Sequence, residues 1–230
     1  MSQVMDKSQS PTVWELRRER ERTEMMERIM DVARDLFVRD GYEALTLRRI
    51  ALAIEYSPGT IYQYFKDKQA LITAIIREDL WDLRENLLEC VSLEDPRERL
   101  AEMARRYAIW GITHPNHYRL MFVPPPAWAD QEDKLRRDEA PPLKQEALFV
   151  LYTAVKEGIQ RGLFKEKYTD PSLVAATLWA GIHGAVLLEI TMTAYDRTLI
   201  GEKDTRFEAR FDTLKEVFLD GFLRDEPKAS

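Results

Sequence analysis

The sequence predicts an all-α protein, and three observations carry that expectation. Apolar residues recur at i, i+3, i+4 and i+7 through most of the 230 residues, the spacing of one helix face. Start signals precede these stripes: Thr12 with Glu15 three residues on, Ser57-Pro58, Asp95-Pro96 and Asp170-Pro171. Stop signals follow them, at Gly41, His114-Pro115 and Gly162.

The elements follow in chain order. Residues 1–11 are small and polar and read as a disordered arm, not a secretory signal. A charge-dense helix starts after Thr12, buries Met26, Ile29, Met30, Ala33, Leu36 and Phe37, and stops at Gly41. Its first part, Trp14 to Thr23, is polar nearly all round and projects as a solvated face stitched by i, i+4 ion pairs. Leu47, Ile50, Ala51 and Ile54 stripe a short helix. After a tight turn at Glu55, a second short helix runs from Pro58 to Phe65 and buries Ile61 and Phe65. Asp67 caps a long helix from Lys68 to Val91.

Helices also follow from Pro96 to His114, through NHYRLMF to Phe122, and from Leu143 to Arg161. Residues 123–142 hold five prolines without periodicity and read as the longest loop. The segment after Asp170-Pro171 is apolar for nearly a membrane span, but His183, Glu189 and two glycines interrupt it, so a buried helix is expected. A final amphipathic helix covers Arg206 to Leu223. Thr177, Ala180, Gly181 and Gly184 make a stripe of small residues. With Phe211, Leu214 and Phe218 of the last helix they are expected to form a homodimer interface of four helices, two from each chain.

Thr46 to Lys68 has the pattern of a helix-turn-helix. With Ile61 and Phe65 inward, Thr60, Tyr62, Gln63 and Tyr64 take the other sides, an outward group of hydroxyl, amide and phenol suited to base edges and phosphates. The run Met26, Ala33, Phe37, Gly41, Tyr42, Thr46, Ile50, Ala51, Ser57, Gly59, Thr60, Ile61, Tyr62, Tyr64, Phe65, Lys68 and Leu71 resembles the tetracycline-repressor (TetR) family of bacterial regulators over about residues 24–74. The family usually places glycine in the turn, where this chain has Glu55.

The resemblance implies a dimer with a small DNA-binding domain and a larger ligand-binding and dimerisation domain. The limits expected are 1–23 for the arm, 24–72 for the DNA-binding domain and 73–225 for the rest. By position-matching, Thr60, Gln63 and Tyr64 face the groove, Tyr62 and Lys68 contact phosphate, and Ser57, Pro58 and Gly59 open the reading helix. Thr46 and Arg48 are expected phosphate contacts, and the Gln63 amide has the donor and acceptor to read adenine. Trp110, His114, Tyr118, Phe122, Phe149, Tyr152, Trp179 and His183, beside His117 and Trp128, are the candidate effector pocket. Trp179, His183 and Gly184 are also similar to the Trp…His-Gly pattern of one C-terminal subgroup, as HPNHYRLMF is to its middle segment.

Charge and composition limit the alternatives. Hydrophobic residues make up 45% and charged ones 32%, the balance of a soluble globular protein. Net charge is −6, with 13 basic against 14 acidic residues over 1–80, so DNA binding rests on a local patch and helix N-termini instead of a global field. The single Cys90 excludes an intrachain disulfide, suits a reducing cytoplasm and reads as a packing thiol. His114 and His117 flank a proline break with no cysteine near, so no metal site or cofactor is expected. No phosphate loop, nucleophile elbow or catalytic constellation is present in the sequence. The expectation is a cytoplasmic, homodimeric regulator, a repressor released from a palindromic double-stranded operator by a small apolar or aromatic effector. Its rivals are a DNA-binding regulator without an effector and a helical enzyme.

Overall fold

The computed structural model describes residues 12–122, 143–192 and 206–224. The expected N-terminal arm, the proline-rich loop and Trp128 lie outside them. The chain divides after Ile75 into two compact units.

The first unit begins with α1 (Val13–Ala44). Thr12 and Glu15 form a reciprocal capping box, the Thr12 side chain accepting from the Glu15 amide and the Glu15 carboxylate accepting from the Thr12 amide. Gly41 has φ 80° and ψ 172° and kinks the last turn, so the regular helix does stop at this glycine. Short helices α2 (Leu47–Ala53) and α3 (Pro58–Tyr62) follow, capped by Thr46 and Ser57. The core closes on fully buried Ile29, Ala33, Ile50, Ala51 and Ile61, joined by Leu71 and Ile75 from the start of α4 (Lys68–Leu88). Met26 and Phe37, expected to be buried, are half-buried at its edge.

In the second unit, a 3₁₀ turn (Glu89–Ser92) follows α4, where the sequence predicts helix to Val91. Then come α5 (Pro96–Thr113), α6 (Pro115–Phe122), α7 (Leu143–Gln160), α8 (Pro171–Thr191) and α9 (Phe207–Phe222). Asp95 and Asp170 cap α5 and α8 with proline in the first turn. Helix α5 packs against α6, α7 and α8, and α8 against α5, α7 and α9. Gly111 permits the α5–α8 approach, since a Cβ there would lie 2.5 Å from Val186. The end of α9 is tied to the α7–α8 connection by the Arg224 amide donating to the Leu163 carbonyl (2.8 Å) and the Lys165 amide to that of Phe222 (2.9 Å).

Two further expectations are corrected. The second helix of the helix-turn-helix ends at Tyr62, not Phe65; the Gln63 and Tyr64 amides donate three residues back, to Thr60 and Ile61, in a tightened last turn. Helix α8 is not buried within the single chain: it is long and apolar enough to cross a membrane, yet only 22% of its apolar window is buried there. Its residues are apolar around the whole circumference, so packing one side leaves an apolar side outward.

Candidate nucleic-acid interface and ligand chamber

The turn between α2 and α3 sets the angle of the reading segment. The Tyr56 amide donates to the Ala51 carbonyl (2.9 Å) and the Glu55 amide to that of Leu52 (3.2 Å), the two crossed bonds of a Schellman cap. That cap needs a left-handed residue, and Glu55 supplies it at φ 62°. At the entrance to α3 the Ser57 hydroxyl accepts from the Thr60 amide (3.2 Å) and lies 2.9 Å from the Thr60 hydroxyl. Ile61 anchors α3 in the core. Pro58, Gly59, Tyr62 and Gln63 are exposed, while Thr60 and Tyr64 are half-buried.

Flanking groups separate into committed and available cations. Arg49 donates to the Ala44 carbonyl (2.8 Å) and pairs with Asp40 at 2.5 Å. Lys68 donates to the Tyr42 carbonyl (2.7 Å) and stands 3.7 Å over its ring; burial lowers its pKa, partly offset by Glu43. Arg48 is exposed beside Thr46, whose hydroxyl caps α2 by accepting from the Arg49 amide (3.2 Å). The Arg22 guanidinium lies over the Tyr64 ring at 5.5 Å.

The second unit holds an apolar cavity of about 370 Å³, to which α4 through α9 all contribute. Leu83, Leu87, Met103, Leu151, Ile182 and Phe222 represent its wall. Its polar lining comes from Tyr107, Trp179 and His183, with Lys215 as the one charged side chain among the described residues lining it. Trp179 Nε1–H donates to the Tyr107 hydroxyl (3.1 Å). The Tyr107 and Tyr118 hydroxyls are 2.9 Å apart, and lie 3.1 and 2.5 Å from His183 Nδ1. Burial pushes the Tyr107 hydroxyl up to about 12 and Tyr118 further, so both stay protonated. Burial lowers the His183 pKa and favours the neutral ring. A more open depression of about 430 Å³ nearby is charged, but Arg105 and Arg106 there are taken by Glu102 and Glu89.

Of the eight residues expected around the effector, the structure brings Phe122, Trp179 and His183 to the wall. Tyr118 is fully buried behind it. Trp110 is buried elsewhere, donating to Asp82 (2.6 Å) and stacking on His114, while His117 contacts buried Asp79 (2.9 Å). Phe149 is 63% exposed and stacks on Tyr152, away from the chamber. Tyr107, Leu178 and Ile182 line it without having been singled out. Tyr107 continues the Leu100–Met103 stripe, which marks a residue as inward but not as facing a void.

The expected dimer stripe also divides. A Cβ on Gly181 would lie 2.0 Å from the Phe218 ring, so these two residues serve the α8–α9 contact within one chain. Phe211 is buried in the same core, and Leu214 packs against it half-buried. Thr177 and Ala180 are exposed, and Gly184 has open space over it. Leu173 and Leu188, 66% and 48% exposed, extend that outer face along α8.

A capped helix-turn-helix on an all-α scaffold is the architecture with which helix-turn-helix domains present a short helix to DNA. Residues 29–75 match the model of bacterial regulatory proteins of the tetR family, and residues 100–214 that of the tetracyclin repressor-like C-terminal domain. The chain belongs to the TetR family. It is similar to the HTH-type transcriptional repressor Rv1474c of Mycobacterium tuberculosis, 36% identical over 84 residues, which are 36% of each chain. It is also similar to the repressor AcnR of Corynebacterium diphtheriae, 36% identical over 77 residues, 34% of this chain and 40% of that one. These matches span little more than a third of the relatives' length. Among solved structures, PfmR of Thermus thermophilus superposes with a TM-score of 0.65 at 20% identity, covering 86% of this chain and 100% of that one. A regulator from Marinobacter aquaeolei gives 0.66 at 21%, covering 90% and 100%. These two likenesses concern the fold.

Proposed function

We propose that the protein is a cytoplasmic homodimeric repressor that reads a roughly palindromic operator with α3 and its last turn and is released by a small apolar ligand. The observation that carries this reading is the α3 segment itself. One buried side chain, Ile61, holds it, while Tyr62 and the Gln63 amide stand exposed beside two side-chain helix caps. On this reading Gln63, Thr60 and Tyr64 contact bases; Arg48, Thr46 and Tyr62 contact phosphate, as does Lys68 with the N–H groups that its bond to the Tyr42 carbonyl leaves over; and Ser57, Pro58 and Gly59 place the helix start against the backbone. DNA reading belongs to residues 24–72, ligand binding and dimerisation to 73–225.

The apolar outer face of α8 supports dimerisation, because a helix of this composition left bare in water is unfavourable and a second copy covers it without a membrane. The apolar chamber supports a ligand. Helix α4 supplies residues to both units and is the natural route of coupling, provided the ligand binds two conformations unequally.

Fluorescence anisotropy against duplexes from upstream of the protein's own gene, with random duplex as competitor, tests the DNA reading. Gln63→Ala should lose ~1–3 kcal/mol on the operator and little on random DNA. Equal losses on both would remove Gln63 from base reading.

A further inference from the structure

The ligand chamber contains a hydrogen-bond chain whose donor end and distances favour one direction. An indole N–H only donates, so the Tyr107 oxygen accepts from Trp179. Tyr107 then has one proton to pass on, and Tyr118 at 2.9 Å and His183 Nδ1 at 3.1 Å are its acceptors in reach. Tyr118 is 2.5 Å from Nδ1 and 3.5 Å from the His183 carbonyl, and the shorter contact favours Nδ1 as the acceptor of its proton. The chain therefore runs from Trp179 through Tyr107 and Tyr118 into Nδ1 as the acceptor. A neutral imidazole whose Nδ1 accepts must carry its hydrogen on Nε2. His183 is held neutral by burial, and its ring forms part of the chamber wall.

Among the described residues nothing takes that Nε2–H, and apart from Tyr107, Trp179 and Lys215 the lining around His183 is apolar. The remaining charge is already matched: Lys215 pairs with Asp212 at 2.7 Å. Resting on the reading of this cavity as a ligand site, we propose that its occupant is an uncharged apolar molecule bearing a hydrogen-bond acceptor, such as a ketone or ester carbonyl, which takes the Nε2–H of His183. A hydrocarbon satisfies the walls but leaves the donor unanswered. A carboxylate brings a charge for which the described residues of the chamber offer only Lys215, already paired with Asp212.

Two measurements on the full-length protein test this. The first needs no ligand. In ¹⁵N-histidine-labelled protein, two-bond nitrogen–proton correlation distinguishes the tautomers, and with three histidines the His183 signal is identified by its loss in His183→Phe. A neutral ring with hydrogen on Nε2 is expected; hydrogen on Nδ1 overturns the chain. The second compares 2-decanone, decane and decanoate by thermal shift and titration. The ketone should bind about fivefold more tightly than decane, the usual worth of one hydrogen bond. That preference should vanish in His183→Phe while decane binding persists, and His183→Gln, which restores an N–H donor, should recover part of it. Equal binding of ketone and hydrocarbon overturns the anchor but leaves the chamber a ligand site. Preference for decanoate that Lys215→Met removes overturns the uncharged class. Binding of none of the three overturns the chamber reading and this proposal with it.

Discussion

Glu55 sits in the left-handed region, where a side chain costs roughly 1–2 kcal/mol relative to glycine. Glycine also loses more freedom on folding, which offsets part of the gain. Glu55→Gly should therefore raise the thermal midpoint slightly or leave it unchanged, and a clear loss by differential scanning calorimetry would mean that the carboxylate does unseen structural work. His183 gives a pH signature. Its folded pKa lies below its ordinary 6.5, so below that pH the unfolded chain takes up a proton that the folded chain resists. Its contribution to stability is full above pH 6.5 and is lost as pH falls towards the folded pKa. Between pH 7 and 5 the wild-type melting temperature should fall more than that of His183→Phe; parallel curves would show that His183 titrates alike in both states.

At the scale of the element, glycines on one helix divide by what faces them. Gly181→Ala forces a methyl into the Phe218 ring and should cost ~1–3 kcal/mol by overpacking, measured by urea unfolding. Gly184→Ala meets open space in the chain and should not destabilise it, helix propensity alone favouring alanine by about 1 kcal/mol. The reverse order of the two variants would contradict the α8–α9 packing. Helix starts were legible in the sequence because capping is local: Thr12, Ser57, Asp95 and Asp170 each meet an amide two or three residues on. The end of α3 was not, since Ile61 and Phe65 bury the same face whether the last turn is α-helical or tightened. The chamber was less legible still. Periodicity separates inward from outward, and Trp110 and Tyr107 share that mark; which inward residue borders a void depends on volumes left unfilled by six helices, a sum no single stripe contains.

For the whole molecule, the outer face of α8 is the place to test assembly. Ala180 is exposed in the chain, so Ala180→Glu should leave the far-ultraviolet circular dichroism unchanged. Buried at a two-fold contact, the unpaired charge should weaken the dimer by at least ~100-fold. Analytical ultracentrifugation reads this directly, and a wild type that sediments as a monomer at micromolar concentration would refute the proposed interface. If α8 joins identical copies, the same face has a genetic consequence. A chain altered only in the exposed Tyr62–Gln63 segment keeps its Thr177–Ala180 surface intact and goes on pairing with normal chains. Made in excess, it would sequester them in mixed pairs with one working head, so that loss of reading would be inherited as a dominant trait, whereas Ala180→Glu would be recessive.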